Sequence, residues 1–463
     1  MTPDIQKYRI EFGVFVVLLY LVLLLFFQGT GDEGDSIFHF LYAKYAFTHP
    51  ELYLHHWAKP AFVLLASPFA QAGFIGVKIL NLCLSLASVL LVYGVAKKLG
   101  YSFTLLGAVF QAFAPLAIVV AMSGLTEPLF ACLCIGSLFA YLSGKKPLSM
   151  LLLSFLPFVR TEGVLFLGLI GMLALCEREW KTLLFLGIGP AIYTLAGGLF
   201  LGDFLWFFNR LPYSVETSHY GHGRIFHYVD QLFYVVGLPY YFFLVAGLLA
   251  GLSQFIQKKM NRLEFWFIYA GFLLFFSAHS LFWYLGVFDS MGLKRVLVSV
   301  LPLSSLIALN GFNWITGFWK GKKSKHRFAL IVGLTTAIFP FIGSPSSIQW
   351  QALELSPRQK EIKKMAIKLK PLLSETCKIS SAHPYLYFCL NTDCFDNTKS
   401  FPLTAQIEQG RRGDLLVWDS DFAVIENNIS KEELIKNPRL TIVYQQKIFS
   451  DTKEFELIAF LLK

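Results

Sequence analysis

The sequence predicts an all-α polytopic membrane protein with about eleven transmembrane helices and a small C-terminal extracytoplasmic α/β or α+β domain. Hydrophobic residues make up 55% of the 463 residues and charged residues only 15%, whereas soluble domains are about one-quarter charged. Long apolar runs alternate with short loops, and lysines and arginines are concentrated in every second loop. Most of this chain must therefore lie in lipid.

The net charge of +10 belongs to the membrane part of the chain. Residues 1–345 contain 24 Lys/Arg and 15 Asp/Glu, whereas residues 346–463 contain 16 and 15. An excess confined to alternate short loops is the positive-inside pattern, so it indicates orientation and not nucleic-acid binding. We therefore predict a transmembrane domain at 1–345 and a soluble extracytoplasmic domain at 346–463. The basic loops contain Lys7 and Arg9, Lys97–Lys98, Lys145–Lys146, Arg178 and Lys181, Lys258–Lys259 and Arg262, and five residues from Lys320 to Arg327.

The apolar runs define the order of the spans. The first run has a basic start and no small-residue cleavage motif, so we expect a retained signal-anchor. Its N-terminus is then cytoplasmic and the tail extracytoplasmic, which predicts a multi-pass protein of the cell (plasma or inner) membrane. Hydropathy places the spans at about 10–27, 73–95, 103–122, 128–143, 147–159, 163–176, 182–201, 235–256, 264–285, 296–312 and 328–343.

The tail changes character from the apolar part. Residues 356–374 form a Lys-rich amphipathic stretch that predicts a helix. Tail residues Cys377, Cys389 and Cys394 allow one disulfide in an oxidising compartment. Strand-like runs follow at 385–390, 414–418, 441–444 and 455–462, with a short predicted helix at Lys431–Lys436.

An acidic cluster follows the first span. Asp32, Glu33 and Asp35 place three carboxylates within four residues at the predicted outer surface of the membrane. Ionised groups lose part of their water there, so carboxylate pKa values rise and such residues are usually functional. The cluster suits a site that takes up a proton, binds a cation or positions a hydroxyl group. We expect no cofactor; a divalent cation at this loop is the alternative.

Other ionisable residues fall in the loops predicted to share the outer face. Each has a structural alternative: Glu127 follows Thr126 and precedes Pro128 in a good helix start, while Arg160 and Glu162 could neutralise each other. The histidines at 49, 55 and 56, and those at 219, 222 and 227, lack carboxylates at ligand spacing, which favours interfacial clusters over metal sites. The candidate residues outside the acidic cluster are His39, Lys59, Glu127, Arg160, Glu162, Lys294 and Arg295.

This set of residues suits transfer of a sugar from a polyprenyl-phosphate carrier to a hydroxyl. Such a donor has an isoprenoid in lipid and a sugar-phosphate head at the outer surface. The leaving phosphate needs cations, and Lys59, Lys294, Arg295 or Arg160 could supply them. The acceptor hydroxyl needs a carboxylate base, and Asp35, Asp32 or Glu33 could serve. One displacement by that hydroxyl inverts the anomeric centre. The expected partners are the lipid bilayer, a polyprenyl-phosphate-linked sugar, and a protein, lipid or glycan acceptor; no nucleic acid is expected.

Four local motifs resemble the GT-C superfamily of membrane glycosyltransferases, which includes protein O-mannosyltransferases and aminoarabinose transferases of lipid A. The resemblance covers the first half of the chain best, the late spans weakly and the tail hardly at all. Many members have proline where this chain has Thr161. The motifs are Asp32-Glu33-Gly34-Asp35, Trp57-Ala58-Lys59-Pro60, Arg160-Thr161-Glu162-Gly163, and Arg295 followed by Pro302.

The resemblance implies that residues 1–345 are a GT-C-like catalytic domain with its catalytic acid in the first outer loop. Read as Asp-Glu, the motif implies Asp32; read as Asp-x-Ile-x-His-Phe, it implies Asp35. We favour Asp35 because the amphipathic run of Ile37, Phe40 and Leu41 begins there and places it at a helix start. Lys59, Lys294, Arg295 and Arg160 would bind the donor phosphate, and Glu127, Glu162 and His39 other parts of the substrate.

Three rival functions make different demands on the sequence. A secondary transporter would have ionisable residues near mid-span and two related halves, but Lys78 is the clearest mid-span charge and no internal repeat is visible. A polysaccharide polymerase or ligase would use Arg and His in a large outer loop such as 202–234, but it would not need the early acidic loop. A membrane scaffold would need none of these residues.

Overall fold

The computed structural model describes residues 3–213, 218–343, 348, 354–374, 376–404, 410–450 and 453–463, with side chains from residue 10 onward except at 450 and 453. These residues form a helical body followed by a small mixed domain. The helices of the body are α1 Pro3–Phe26, α2 Asp35–Tyr45, α3 Pro60–Ala70, α4 Phe74–Lys98, α5 Thr104–Ala112, α6 Pro115–Ala121, α7 Glu127–Leu142, α8 Lys146–Ser154, α9 Leu156–Val159, α10 Gly163–Cys176, α11 Trp180–Leu186, α12 Ile188–Leu201, α13 Trp206–Asn209, α14 His227–Val236, α15 Leu238–Ile256, α16 Gly271–Leu285, α17 Leu301–Gly317 and α18 Lys322–Ile338.

Every predicted span coincides with a helix or a helix pair. Within the described residues, five helices are long and apolar enough to cross a bilayer, or six if the bent pair α5 and α6 is one span. That pair bends by 63° where Pro115 starts the second helix. Five further apolar helices have 10–17 residues, and one of them, α3, was not predicted as a span. The protein is therefore polytopic, and the count of eleven spans stays a prediction.

Helix α17 forms the centre of the body. Its apolar stretch begins in a 3₁₀ turn at Lys294–Val300, and 94% of the most apolar window of Lys294–Gly317 is buried inside the protein. By contrast, only 17% of the corresponding window of Trp180–Leu201 is buried, so that segment lies at the periphery. Gly247 of α15 packs directly on α17, because a Cβ at Gly247 would lie 1.9 Å from the carbonyl oxygen of Ile307. Close packing on small residues is typical of membrane helices.

The acidic cluster joins α1 to α2. Lys78 of α4 is buried and donates to the carbonyl oxygens of Phe27 (2.9 Å) and Gly29 (2.7 Å) at the end of α1. A cation is stabilised at a helix C-terminus, where the last carbonyls lack helical partners. Lys78, which was expected near mid-span, is instead the fifth residue of α4, and it has a structural role in fixing the start of the acidic loop.

The C-terminal domain combines a four-stranded sheet with short helices. The strand order is β1-β2-β4-β3, in which β1 pairs parallel with β2, and the other neighbours pair antiparallel. Asp414 and Asp419, at the two ends of β2, accept hydrogen bonds from backbone N–H groups, as is typical of turn residues. The elements are α19 Pro357–Leu369, β1 Ile379–Ser381, α20 Pro384–Leu390, β2 Leu415–Asp419, α21 Phe422–Ile425, α22 Lys431–Lys436, β3 Leu440–Ser450 and β4 Lys453–Leu462.

One predicted strand of this domain is wrong. Residues 385–390 form helix α20, because Pro384 fits the first helical turn and the His383 side chain accepts the N–H of Tyr385. The strand Ile379–Ser381 was not predicted; it is only three residues long and fully buried. The strands predicted at 414–418 and 455–462 and the helices at 356–374 and Lys431–Lys436 agree with the structure to within a few residues, whereas the strand predicted at 441–444 extends six residues further, to Ser450.

The domain packs against the body. One hydrophobic cluster contains residues of both, including Phe40 and Ile37 of α2 and Met365 of α19. The predicted boundary at 345/346 lies outside the described residues. All seven cysteines are free thiols, including Cys377, Cys389 and Cys394, for which a disulfide was one expectation.

Candidate functional site

Charged residues from four separate segments meet at one end of the helical body. They come from the acidic loop before α2, the start of α7, the turn between α9 and α10, and the 3₁₀ turn that precedes α17. All four segments were predicted to share the outer face. The residues that meet are Asp32, Asp35, Glu127, Arg160, Glu162 and Arg295.

Arg295 bridges the two aspartates of the acidic loop. Its Nη1 donates to Asp32 and its Nη2 to Asp35, in short charge-assisted bonds. Its Nε lies 3.7 Å from Oε1 of Glu127. The guanidinium fork suits this arrangement because two oxygens of different carboxylates can accept from its two terminal nitrogens. In this structure the guanidinium of Arg295 binds carboxylates, so a phosphate would have to compete with them.

The two aspartates have different positions at the start of α2. The N–H of Ser36 donates to Oδ1 of Asp32 at 3.1 Å, so this carboxylate satisfies one of the free N–H groups of the first helical turn. Asp35 is the first residue of the helix, as its amphipathic pattern predicted. Its side chain is 36% exposed, against 13% for Asp32. Asp35 is therefore the more accessible carboxylate.

The surroundings move the two carboxyl pKa values in opposite directions. Burial raises the pKa of Asp32 to about 6, because the nearby charge of Asp35 adds to burial and Arg295 only partly offsets them. Burial also acts to raise the pKa of Asp35, but the charge and hydrogen bond of Arg295 outweigh burial and hold that pKa below its usual value. Asp32 is therefore the carboxyl group that gains a proton more readily near neutral pH.

A second arginine extends the network toward α10. Nη1 of Arg160 donates to Oε1 of Glu127 at 2.9 Å, and Nη2 donates to Oε1 of Glu162 at 3.0 Å. Glu127 is only 1% exposed. A role in starting helix α7 does not by itself explain why this carboxylate is buried, because burial of a charge is costly. Burial raises the pKa of Glu162, but Arg160 and His279 outweigh burial and hold it well below its usual value. Arginines and carboxylates thus alternate from Asp35 to Glu162.

Lys59 lies beside this network with different partners. It is buried, and its Nζ lies 3.4 Å from the hydroxyl of Thr161 and donates to the hydroxyl of Tyr213. Among the described residues it forms no salt bridge. Its φ of 66° is unusual for a residue with a side chain, and Pro60 follows it as the first residue of α3. Such backbone strain is typical of functional positions.

The remaining predicted residues lie at the margins of the site. His39 is buried and stacks on Trp57, with ring centroids 5.0 Å apart. Burial lowers its pKa to about 3 and the charge of Lys59 adds to this, so the ring is neutral near pH 7. Glu33 accepts from the hydroxyl of Ser356 in the C-terminal domain. The Nζ of Lys294 lies 5.6 Å from the ring centroid of Tyr234, away from the carboxylates.

Within the described residues, no group of three or more His, Cys, Asp and Glu side chains has the geometry of a metal site. Asp32 and Asp35 of the acidic loop bind Arg295. The described residues of the 202–234 loop contribute Tyr213, which contacts Lys59, but no charged group to the network. His219 and Arg224 are exposed, and they pair with Asp289 and Asp230.

Sequence reasoning missed several neighbours of the site. His279 is buried in α16, and its Nε2 lies 3.2 Å from Oε1 of Glu162. An ionisable residue within an apolar span was a signal that could have identified it. Thr161 was named only as a departure from a motif. Tyr213 lies in the 202–234 loop and Gln359 in the predicted amphipathic helix, and neither pattern marks these two residues as part of a site.

Comparison with known proteins confirms the fold resemblance. The crystal structure of ArnT from Cupriavidus metallidurans in the apo state matches with a TM-score of 0.65 and 11% identity, covering 98% of each chain. The structure of ArnT from the same organism bound to undecaprenyl phosphate matches with a TM-score of 0.61, also at 11% identity and 98% coverage of each chain. No protein-family model and no curated protein sequence matches this chain. The chain therefore has an ArnT-like fold over 98% of its length.

Proposed function

We propose that this protein is an inverting glycosyltransferase that moves a sugar from a polyprenyl-phosphate carrier to an acceptor hydroxyl. One observation carries the proposal: a buried network of four carboxylates and two guanidinium groups lies at one end of an ArnT-like body. Buried charges in a membrane protein are costly, so the presence of this network indicates a function. The similar ArnT binds undecaprenyl phosphate, which supports a polyprenyl phosphate as the carrier.

Lys59 is the proposed ligand of the donor phosphate. It is a buried cation that the described residues leave without a carboxylate, and the hydroxyl groups of Thr161 and Tyr213 lie beside its ammonium group. A phosphate bound there would accept from the ammonium and from both hydroxyls, and these donors would stabilise the charge that develops as the sugar departs. Arg160 and Arg295 would add positive potential from nearby.

Asp35 is the proposed general base. Geometry comes first for such a role, and Asp35 is the more accessible of the two aspartates bound to Arg295. It would take the proton of the acceptor hydroxyl as the oxygen attacks the anomeric carbon. The carbon–phosphate oxygen bond then breaks on the opposite side, and the carrier leaves as its phosphate.

Asp32 is the second candidate for the base, and a specific observation favours it. Its pKa of about 6 makes it the better proton acceptor near neutral pH, whereas Arg295 keeps the pKa of Asp35 low. In this alternative, Asp35 would hold Arg295 in place. The two assignments give opposite results on mutation.

We place the site on the extracytoplasmic face of the membrane, with the N-terminus in the cytoplasm. The basic loops support this orientation, because they alternate with the loops that contain the site. The structural role of Lys78 disfavours a transporter. The exposed His219 and Arg224 contact Asp289 and Asp230 and not the network, which disfavours a polymerase or ligase that depends on the Arg and His residues of the 202–234 loop.

The proposal can be tested with purified protein in lipid nanodiscs and a panel of polyprenyl-phosphate sugars. We expect the wild-type protein to cleave at least one donor, and the Asp35→Asn variant to lose about 10²–10⁴-fold in kcat, about 3–5 kcal/mol of barrier. Donor binding should be retained. Glu33→Gln is the matched control, because its side chain faces Ser356 and should have a milder effect.

Two outcomes would contradict parts of the proposal. If Asp35→Asn has normal activity and Asp32→Asn has lost activity, the general base is Asp32 and not Asp35. Failure of the wild-type protein to bind or cleave any polyprenyl-phosphate sugar would reject the proposed function itself.

A further inference from the structure

The C-terminal domain holds the acidic loop through one buried amide. Gln359, in the first turn of α19, is 1% exposed, and its Nε2 contacts three oxygens of the loop. It lies 2.8 Å from Oγ1 of Thr30, 3.0 Å from the carbonyl oxygen of Asp32 and 3.1 Å from that of Glu33. All three oxygens can accept, so the NH₂ group of the amide must face the loop.

The start of α19 adds a second tie to the same loop. The hydroxyl oxygen of Ser356 accepts the N–H of Gln359 at 3.1 Å and so caps the helix. The same hydroxyl donates to Oε2 of Glu33 at 2.8 Å. The residue that begins the helix is thus also bound to the acidic cluster, which fixes Gln359 relative to it.

The loop is also fixed from its other sides. Lys78 binds the carbonyl oxygens of Phe27 and Gly29 from within the body. Gly34 packs against Phe422 of the C-terminal domain, where an added Cβ would lie 2.7 Å from Cζ. The loop therefore lies between the membrane helices and the C-terminal domain, and its two aspartates extend toward Arg295.

We infer that Gln359 is a positioning residue and that the C-terminal domain forms part of the active centre by holding the acidic loop. This inference rests on the proposed function. The amide anchors the backbone at Asp32 and Glu33, so it sets where the carboxylates of Asp32 and Asp35 lie relative to a bound donor. A displacement of about 1 Å in such a group costs about 10²-fold in rate.

The test compares two variants of Gln359 in the full-length protein. Gln359→Met keeps the length of the side chain but removes both donors, and Gln359→Glu places a carboxylate against three oxygens. We expect kcat to fall about 10–100-fold in both, with donor binding within about twofold of wild type. In Gln359→Glu, the added charge should also move the acid limb of the pH–rate profile to higher pH, because it raises the pKa of Asp32 further.

Ile362→Val is the matched control, because Ile362 is equally buried in α19 but belongs to its hydrophobic side. It should lower thermal stability with little change in kcat. A wild-type kcat in Gln359→Met would overturn the inference. So would an equal loss of kcat in Gln359→Met and Ile362→Val, or a loss confined to donor binding.

Hydrogen exchange separates this inference from the proposed function. Gln359→Met should speed amide exchange in residues 30–36, whereas Ile362→Val should not. Faster exchange in a protein that cleaves no polyprenyl-phosphate sugar would keep the positioning role and reject the proposed function. Unchanged exchange in an active enzyme would reject the positioning role and keep the function.

Discussion

Ion pairs of similar residues lie near the two ends of helix α7, but their surroundings differ. At its start, Glu127 is 1% exposed and bonds Arg160. Beyond its other end, about 23 Å from Glu127 along the axis of this 16-residue helix, Lys146 bonds Glu179 at 2.5 Å, and each side chain is about one-third exposed. The first pair is buried between elements, whereas the second lies at the surface.

This difference separates a site from ordinary surface charge. An exposed pair contributes about 0–1 kcal/mol, because water screens the attraction and the long side chains lose freedom. A buried pair gives no larger net gain, since desolvation offsets the attraction, but loss of one partner leaves an uncompensated charge. The buried charges near the start of α7 therefore add little net stability. Their burial is better explained by a function than by a structural role.

The largest expected effect is on stability at the buried end. Arg160→Ala should lower the free energy of unfolding by about 3–5 kcal/mol, because Glu127 and Glu162 would remain buried without their shared cation. Thermal or denaturant unfolding in detergent measures this change. Lys146→Ala is the control at the exposed end and should cost less than about 1 kcal/mol. Similar losses in the two variants would show that the ends do not differ as the structure indicates.

The contrast between the two ends was partly predictable from the sequence. Apolar runs and alternate basic loops predicted the helices and the side on which each loop lies, because burial in lipid depends on local composition. They placed Asp32, Glu127, Arg160 and Arg295 on one face. Which carboxylate meets which arginine was not predictable, because such pairs join segments as far apart as 263 residues.

Other features had a weak sequence signal or a misleading one. Gln359 is a neutral residue in a Lys-rich amphipathic helix, and its contacts depend on how the C-terminal domain packs against the body. Residues 385–390 have the composition of a strand, yet Pro384 and the cap from His383 begin a helix there. Local chemistry at a helix start outweighed side-chain propensity.

A smaller effect is expected on donor binding when the cation beside the buried pair is removed. Lys59→Met keeps the side-chain bulk but removes the ammonium group beside Thr161 and Tyr213. Charge-assisted hydrogen bonds contribute about 1.5–3 kcal/mol, so the Kd for the polyprenyl-phosphate donor should rise about 10–100-fold. Lys146→Ala should leave that Kd unchanged. Unaltered binding in Lys59→Met would remove Lys59 from the phosphate site.

The smallest expected effect is the pH dependence of kcat/KM, which should follow the titration of Asp32 in the buried network. The pKa of Asp32 is raised to about 6, so its carboxyl group becomes protonated as the pH falls through that value. Loss of this charge, whether Asp32 is the base or holds Arg295, should lower kcat/KM about tenfold per pH unit below about 6. Stability should change in the opposite direction, because a raised pKa means that the folded state binds the proton more tightly than the unfolded chain.

The opposite signs distinguish titration from unfolding. Asp35 and Glu162 have lowered pKa values and stay ionised between pH 5 and 7, so they should not destabilise the protein in that window. Measurement of kcat/KM and Tm over this range should therefore show falling activity without a falling Tm. Glu177→Gln, at the exposed end near Tyr141, should leave the profile unchanged. A flat profile between pH 5 and 7, or a Tm that falls in parallel with activity, would contradict a titrating carboxylate in the network.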